Sequence, residues 1–205
     1  MSDYKQKSDL ELVEACRQDG DQRAFGVLIK RYERPLYNFI LRMIGNPAEA
    51  EELFQETFLR IYKNLGNFRG GASFSPWAYR IAHNLCIDSL RRPGKRIFVE
   101  LEKDDDNEVS VLDRQENEQS PNPENELYRR QIGQSIQEAV DQLPPKLRSV
   151  FVMYQYDHFA YEEIAEILEI PLGTVKSRMH SALKQLSNKL KHLTPSGKPR
   201  GNKRS

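Results

Sequence analysis

The segment Tyr161 to Leu190 constrains the fold more than any other, because it breaks a helical pattern and restarts it within a few residues. Upstream, Ile164, Ala165, Ile167 and Leu168 recur at helical spacing. Glu169-Ile170-Pro171 then interrupts the pattern, since the residue before a proline is pushed out of the α region. Thr174 is the expected cap of a second helix, its hydroxyl accepting an otherwise unpaired backbone N–H. Projected at ~100° per residue, Val175, Met179, Ala182, Leu183, Leu186 and Leu190 form one apolar stripe. Thr174, Ser177, His180, Ser181 and Lys184 lie opposite, with Lys176 and Arg178 at the flanks. Two helices meeting at a tight turn, the second with small polar and basic side chains outward, is helix-turn-helix architecture, whose second helix typically enters the DNA major groove; the plainer alternative is an amphipathic helix with a solvated basic face.

Charge is the next constraint. The net charge of +1 hides a segregation along the chain. From Leu172 to Ser205 there are nine basic residues and no acidic one. From Glu100 to Glu126 there are eleven acidic residues against Lys103 and Arg114. That stretch holds too little apolar surface to offset its ordering entropy, so it reads as an extended or disordered linker. The tail after Thr194, with two prolines, two glycines and four basic residues, reads the same way. No apolar run approaches the ~18 residues a membrane span needs, and the polar N-terminus carries no signal-peptide core. With only Cys16 and Cys86, far apart, no disulfide framework is expected and a reducing, cytoplasmic setting fits.

The first 93 residues carry legible helix punctuation. Ser8-Asp9-Leu10-Glu11 is a capping box, and Gly20 stands where that helix stops. Asp21 caps a long helix in which Pro35 marks a bend or local break. Asn46 and Pro47 start a third helix, with Glu49 completing a box, and Ser75-Pro76 a fourth. The only alternating run is the short Arg96–Leu101 stretch. After the linker, helices resume near Leu127 and again at Pro144-Pro145. The fold class expected is all-α: two small helical domains joined by an acidic flexible linker.

Two surfaces of the N-terminal part carry opposite charge. The third helix buries Leu53, Phe54, Thr57, Phe58, Ile61 and Leu65, and turns Glu52, Gln55, Glu56 and Leu59 outward. No basic residue occurs from Met43 to Leu59. This is either a solvated helix face or a docking face for a basic partner with Leu59 as apolar anchor. Between Phe68 and Arg96 six basic residues stand against Asp88 alone. There Trp77, Arg80, Asn84, Asp88 and Arg91 share one helical sector behind Phe74. Aromatics beside arginines and an amide suit unpaired bases, although aromatics are more often core. His83 and Cys86 are too few for a metal site and read as packing. No nucleophile–base arrangement or phosphate-cradling loop is present, so neither enzymatic activity nor a cofactor is expected.

Three motifs together resemble bacterial RNA polymerase sigma factors of the sigma-70 family. They are Glu51-Glu52-Leu53-Phe54-Gln55-Glu56-Thr57-Phe58-Leu59-Arg60, Phe74-Ser75-Pro76-Trp77-Ala78-Tyr79-Arg80-Ile81-Ala82-His83-Asn84 and Pro171-Leu172-Gly173-Thr174-Val175-Lys176-Ser177-Arg178. The specific likeness is to the extracytoplasmic-function (ECF) subfamily, which keeps only conserved regions 2 and 4. The resemblance implies region 2 over residues 8–96, the linker over 97–126, region 4 over 127–192 and a basic tail over 193–205. It implies that Glu52, Gln55, Glu56 and Leu59 dock on the clamp helices of the largest subunit of core RNA polymerase. Phe74, Trp77, Arg80, Asn84, Asp88 and Arg91 would open the −10 element and hold an unpaired base. Thr174, Lys176, Ser177, Arg178, His180, Ser181 and Lys184 would read the −35 element as duplex DNA. An anti-sigma factor is a further implied partner, and membrane insertion is not implied. Many relatives carry Arg-Ala-Arg after the Lys-Ser-Arg triplet, where this chain has Met179-His180-Ser181. A helix-turn-helix regulator acting without polymerase is the competing reading; it leaves the acidic face and the Trp77 surface unexplained.

Overall fold

The computed structural model describes residues 4–68, 73–92 and 133–191. The linker 97–126, the tail 193–205, the Arg96–Leu101 run and residues 69–72 of the loop before the fourth helix lie outside the described residues. Four helices form the N-terminal unit: α1 (Asp9–Asp19), α2 (Gln22–Ile44), α3 (Pro47–Asn64) and α4 (Phe74–Leu90). A single 3-10 turn, Leu65–Asn67, follows α3. The C-terminal unit consists of α5 (described over 133–141), α6 (Pro145–Gln155), α7 (Tyr161–Leu168) and α8 (Leu172–Leu190). No strand occurs among the described residues. The chain is all-α.

Helix ends follow the punctuation closely in the N-terminal unit. Ser8 and Glu11 form the reciprocal box, with Glu11 N donating to Ser8 Oγ at 3.3 Å and Ser8 N to Glu11 Oε2 at 2.7 Å. Gly20 and Gly45 end α1 and α2 in the left-handed region, at φ 61° and 75°, where a Cβ would be strained. Asp21 accepts from Arg23 N and Ala24 N. Pro35 lies inside α2 without ending it. Asn46 Oδ1 accepts from Glu49 N at 3.2 Å, while the Glu49 carboxylate accepts from Ser89 Oγ on α4.

Two starts differ from expectation. α4 begins at Phe74 with Ser73 as its cap residue, not at Ser75-Pro76, because Pro76 is tolerated within the first turn, where its missing N–H has no partner to lose. α8 begins at Leu172 with Pro171 at the cap position. Thr174 therefore sits inside the first turn, its N–H donating to Pro171 O at 2.9 Å.

The described parts of the two units pack against one another. Their buried apolar residues form one continuous cluster, from Leu12, Phe39 and Ile61 through Tyr79 and Leu85 to Val152, Phe159 and Ile164. α6 is the wedge between them. Every residue from Leu147 to Met153 is buried, so α6 is covered on all sides. Arg148 is 7% exposed; it donates to Met43 O at 2.6 Å, to Leu143 O at 3.1 Å and to Asp141 O. Met43 O is one of the last carbonyls of α2, which has no partner within its own helix, and a cation is favoured at that helix end. Burial pushes the Arg148 pKa down, offset by nearby Asp141.

Candidate nucleic-acid and polymerase interfaces

On α3 the structure separates the two faces. Leu53, Thr57, Phe58 and Ile61 are buried, with Thr57 Oγ1 donating to Leu53 O at 2.7 Å; Phe54 is half-buried against Tyr37 and Phe58. Glu52 and Gln55 are exposed, Leu59 is 45% exposed, and half-buried Glu56 accepts from Arg60 at 2.8 Å. Beside Leu59 lies Tyr62, 53% exposed, and the two share an open apolar groove with Phe25 and Phe58. The four residues expected to dock are brought together on one accessible surface. Sequence reading left out Tyr62, which adds a second exposed apolar side chain there. Its spacing from Leu59, three residues on the same helix, was the available signal.

The α4 residues divide. Phe74 is 2% exposed, its ring packed edge-on to Tyr32 at 5.0 Å and against Trp77 at 5.7 Å, so it supports the surface rather than presenting a face to a base. Trp77 is half-buried against Phe68 at 5.1 Å. Asn84, Asp88 and Arg91 are exposed. Arg80 is held by the C-terminal unit. Its guanidinium donates to Glu169 Oε1 at 2.7 Å and to Glu166 O at 3.1 Å. Asn84, Asp88 and Arg91 of the expected sector are accessible, whereas Arg80 reaches across the boundary between the units.

Tyr79 and His83 cross the same boundary; sequence reading gave His83 to packing without naming its partner and gave Tyr79 no role. Tyr79 donates to Asp157 Oδ1 at 3.0 Å, and its ring meets Phe159 at 4.7 Å. Burial pushes the Tyr79 hydroxyl up, with Asp157 adding to the effect. Asp157 itself is raised to about 7, chiefly by burial, with Tyr79 and Arg42 opposing. Its second oxygen is buried without a hydrogen bond. His83 Nε2 lies 3.0 Å from Ser149 Oγ, and that hydroxyl donates to Pro145 O at 2.7 Å, so the imidazole is the donor. Burial lowers the His83 pKa to about 4, with Arg178 and Arg91 acting in the same direction. Cys86 is buried and its thiol raised by burial. Among the described residues no group of three metal-ligating side chains occurs.

The helix-turn-helix is formed by α7 and α8. Glu163 accepts from Ala160 N at 2.8 Å to start α7. Glu169 then turns the chain in the left-handed region at φ 54°, its N–H donating back to Ala165 and Glu166 carbonyls. Val175, Met179, Ala182 and Leu186 anchor α8 in the core. Lys176, Ser177 and Lys184 are exposed; Thr174, Arg178, His180 and Ser181 are half-buried. Ser177 Oγ donates to Thr174 O at 3.1 Å, which leaves its oxygen free to accept. The seven residues lie along one helix, and the Arg178 charge acts on His83.

This architecture is matched by known proteins. The model of sigma-70 region 2 matches residues 28–96, and that of sigma-70 region 4 matches residues 133–186. The RNA polymerase sigma-H factor of Pseudomonas aeruginosa is 32% identical over 92% of this chain and 96% of its own length. The ECF RNA polymerase sigma factor SigW of Bacillus subtilis is 36% identical over 85% of this chain and 92% of its own. In fold, the chain is similar to CnrH, solved with the cytosolic domain of CnrY (TM-score 0.66, 20% identity, 92% and 100% covered), and to RpoE of Bartonella quintana, solved with the anti-sigma factor NepR (TM-score 0.59, 22% identity, 82% and 96% covered). The chain belongs to the sigma-70 family, in its ECF group. It is a transcription initiation factor with sigma regions 2 and 4.

Proposed function

We propose that the three surfaces divide the work of promoter recognition. The α3 face of Glu52, Gln55, Glu56 and Leu59, extended by Tyr62, docks on the clamp helices of core RNA polymerase. The outer face of α8 (Thr174, Lys176, Ser177, Arg178, His180, Ser181 and Lys184) reads the −35 element in the major groove. Trp77, Arg80, Asn84, Asp88 and Arg91 on α4, braced by Phe74, take an unpaired base of the −10 element. Stacking on the indole and contact with a guanidinium offset the few kcal/mol of unstacking. The chain supplies no catalytic group; polymerase performs the chemistry. An anti-sigma factor is a further partner in this reading, and the cytoplasm is its site of action. No helix among the described residues is long and apolar enough to cross a membrane.

One observation carries the reading. An exposed acidic face that DNA would repel stands on the same chain as a helix-turn-helix, so one of the two surfaces needs a protein partner. Run-off transcription with core polymerase, with and without the chain, is the test. Chain-dependent initiation at a defined start is expected. DNA binding without any effect on core polymerase would overturn the docking role in favour of an independent regulator.

A further inference from the structure

Trp77 stands in the first turn of α4, and that turn lacks the usual anchor. Ser73 at the cap position makes no capping hydrogen bond through its side chain, so the start of α4 is not fixed by its own cap. What meets it instead comes from α2. The Tyr32 ring lies edge-on to Phe74 at 5.0 Å, and its hydroxyl is hydrogen-bonded to the Ser75 side chain. Phe74 meets the Trp77 indole at 5.7 Å, and Phe68 meets it at 5.1 Å. Tyr32 is fixed in turn from α1. Only 9% exposed, it donates its hydroxyl to Asp9 Oδ2, while Asp9 Oδ1 accepts from Arg31. Arg31 also donates to Lys7 O at 3.0 Å. Asp9 is the first residue of α1, where the helix end favours negative charge. Burial, with the Asp9 bond and charge adding to it, pushes the Tyr32 hydroxyl up and keeps it a donor.

We propose that Asp9 and Tyr32 are positioning residues for promoter melting: Asp9 pins the Tyr32 hydroxyl, the pinned ring fixes Phe74 and Ser75 at the start of α4, and these hold the Trp77 indole ready to stack on an unpaired base. The inference rests on the assignment of Trp77 to that base. Neither Asp9 nor Tyr32 touches DNA; both act through the ring cluster. The hydroxyl matters more than the bulk, because phenylalanine would fill the same space without reaching Asp9. A fixed indole loses less freedom when a base arrives, so more of the stacking goes into holding the strand open. The Arg31–Asp9 pair is part-exposed, at 34% and 23%, and by itself holds little; its part is to orient the carboxylate toward Tyr32.

Trp77 is the only tryptophan of the chain, so intrinsic fluorescence reads its setting directly. In the full chain, Tyr32→Phe and Asp9→Ala are each expected to raise acrylamide quenching of the indole. With core polymerase and a promoter that gives chain-dependent run-off, permanganate reactivity of unpaired thymines is expected to fall about three- to tenfold, part of what one base–aromatic stack contributes. Affinity for core polymerase is expected to stay at the parent's level, which a general loss of structure would not allow. The double replacement should be no worse than either single one, since both break the same bond. Asp9→Asn keeps an oxygen for the hydroxyl to donate to and should recover most of the parent's behaviour. Parental quenching in both single variants, additive losses in the double, or an Asp9→Asn chain as impaired as Asp9→Ala would overturn the role of the Asp9–Tyr32 bond. A loosened indole with parental melting would overturn the positioning role, and Trp77→Ala then shows which part has failed. Lower melting in Trp77→Ala keeps the assignment of Trp77 and removes only the positioning; parental melting there removes the assignment itself.

Discussion

α3 and α4 are neighbours in one bundle, yet they meet the rest of the molecule differently. α3 turns Glu52, Gln55 and Leu59 to solvent. α4 gives Tyr79, Arg80 and His83 to that unit. On the proposed function, the surface assigned to polymerase is therefore accessible in the free chain, whereas the α4 surface assigned to DNA has its Arg80 engaged by the C-terminal unit. Order of assembly follows from that difference: docking on polymerase can come first, and promoter reading after it. The largest break in the comparison should come from α3. Glu52→Lys together with Glu56→Lys places like charge against a basic partner, a cost of several kcal/mol. Core-polymerase binding is expected to fall by about 1000-fold or more in a pull-down or anisotropy titration, while free-chain binding to duplex DNA is retained. Unchanged core binding would remove α3 from the docking role.

The next effect belongs to the boundary. Arg148→Ala leaves the Met43 and Leu143 carbonyls buried and empties the space around them. Breaking a buried charged group away from its acceptors costs about 3 kcal/mol, read as a lower urea midpoint. Arg148→Lys is expected to recover less than half of this, because one ammonium cannot span three carbonyls with the geometry of a guanidinium. An Arg148→Ala midpoint equal to the parent's would mean the two units do not stabilise one another through this contact.

How much of this was legible depends on the physical range of each interaction. Helix ends at Ser8, Gly20, Asp21 and Asn46 are set by groups within four residues, and those stood in the sequence plainly. Thr174 and Ser75 misled because Pro171 already stands at the cap of α8 three positions before Thr174, and Pro76 is accepted inside the first turn of a helix that starts at Phe74. The outward face of α3 followed from periodicity alone. The boundary did not, since Arg80, Tyr79 and His83 find partners 66 to 89 positions away. One local signal for it existed: Val150-Phe151-Val152-Met153 gives α6 apolar side chains on every side, more than a small helical unit can bury by itself. Phe74 and Trp77 shared a composition cue that periodicity could not divide into support and platform.

The comparison is sharpened by protons. Asp157 is raised to about 7 at the boundary and returns toward its ordinary value when exposed, so packing of the C-terminal unit on α4 into the closed form seen here takes up a proton between about pH 4 and 7. His83 is lowered to about 4 and returns toward 6.5 on exposure, so closing releases a proton between about pH 4 and 6.5. Across the shared window the two cancel, and the parent's closed form is expected to hold nearly constant until pH rises past 6.5, where it weakens slightly up to about 7. Facing these groups are Arg42 and Tyr79 for Asp157, and Arg178, Arg91 and Asn84 for His83. Each replacement exposes the other's slope. With His83→Gln the closed form should tighten as pH falls below 7, by at most about tenfold per unit. With Asp157→Asn it should loosen as pH falls below 6.5. Scattering-derived dimensions at pH 5, 6 and 7 give the reading; equal pH dependence in both variants would exclude these two groups as the source.

The smallest effect separates two cations on one helix. Lys184 is exposed and lies on the part of α8 farther from the turn, whereas Arg178 is half-buried near His83. Lys184→Ala should therefore weaken free-chain binding to mixed-sequence duplex severalfold and flatten the salt dependence by about one unit of slope, as loss of one phosphate contact does. Arg178→Ala should alter that slope less, because Arg178 is half-buried and its charge acts on His83 of α4, which leaves it less free to reach phosphate. Ser149→Trp, whose indole does not fit at a fully buried site 3.0 Å from His83 and so parts the C-terminal unit from α4, provides the contrast when introduced behind Arg178→Ala. With region 4 released, the cost of losing Arg178 should rise toward that of losing Lys184, whereas the cost of losing Lys184 should be the same in both backgrounds. Equal costs for the two cations in the unaltered chain would mean that docking on α4 covers none of the reading face, and that the asymmetry between α3 and α4 stops at α4 itself.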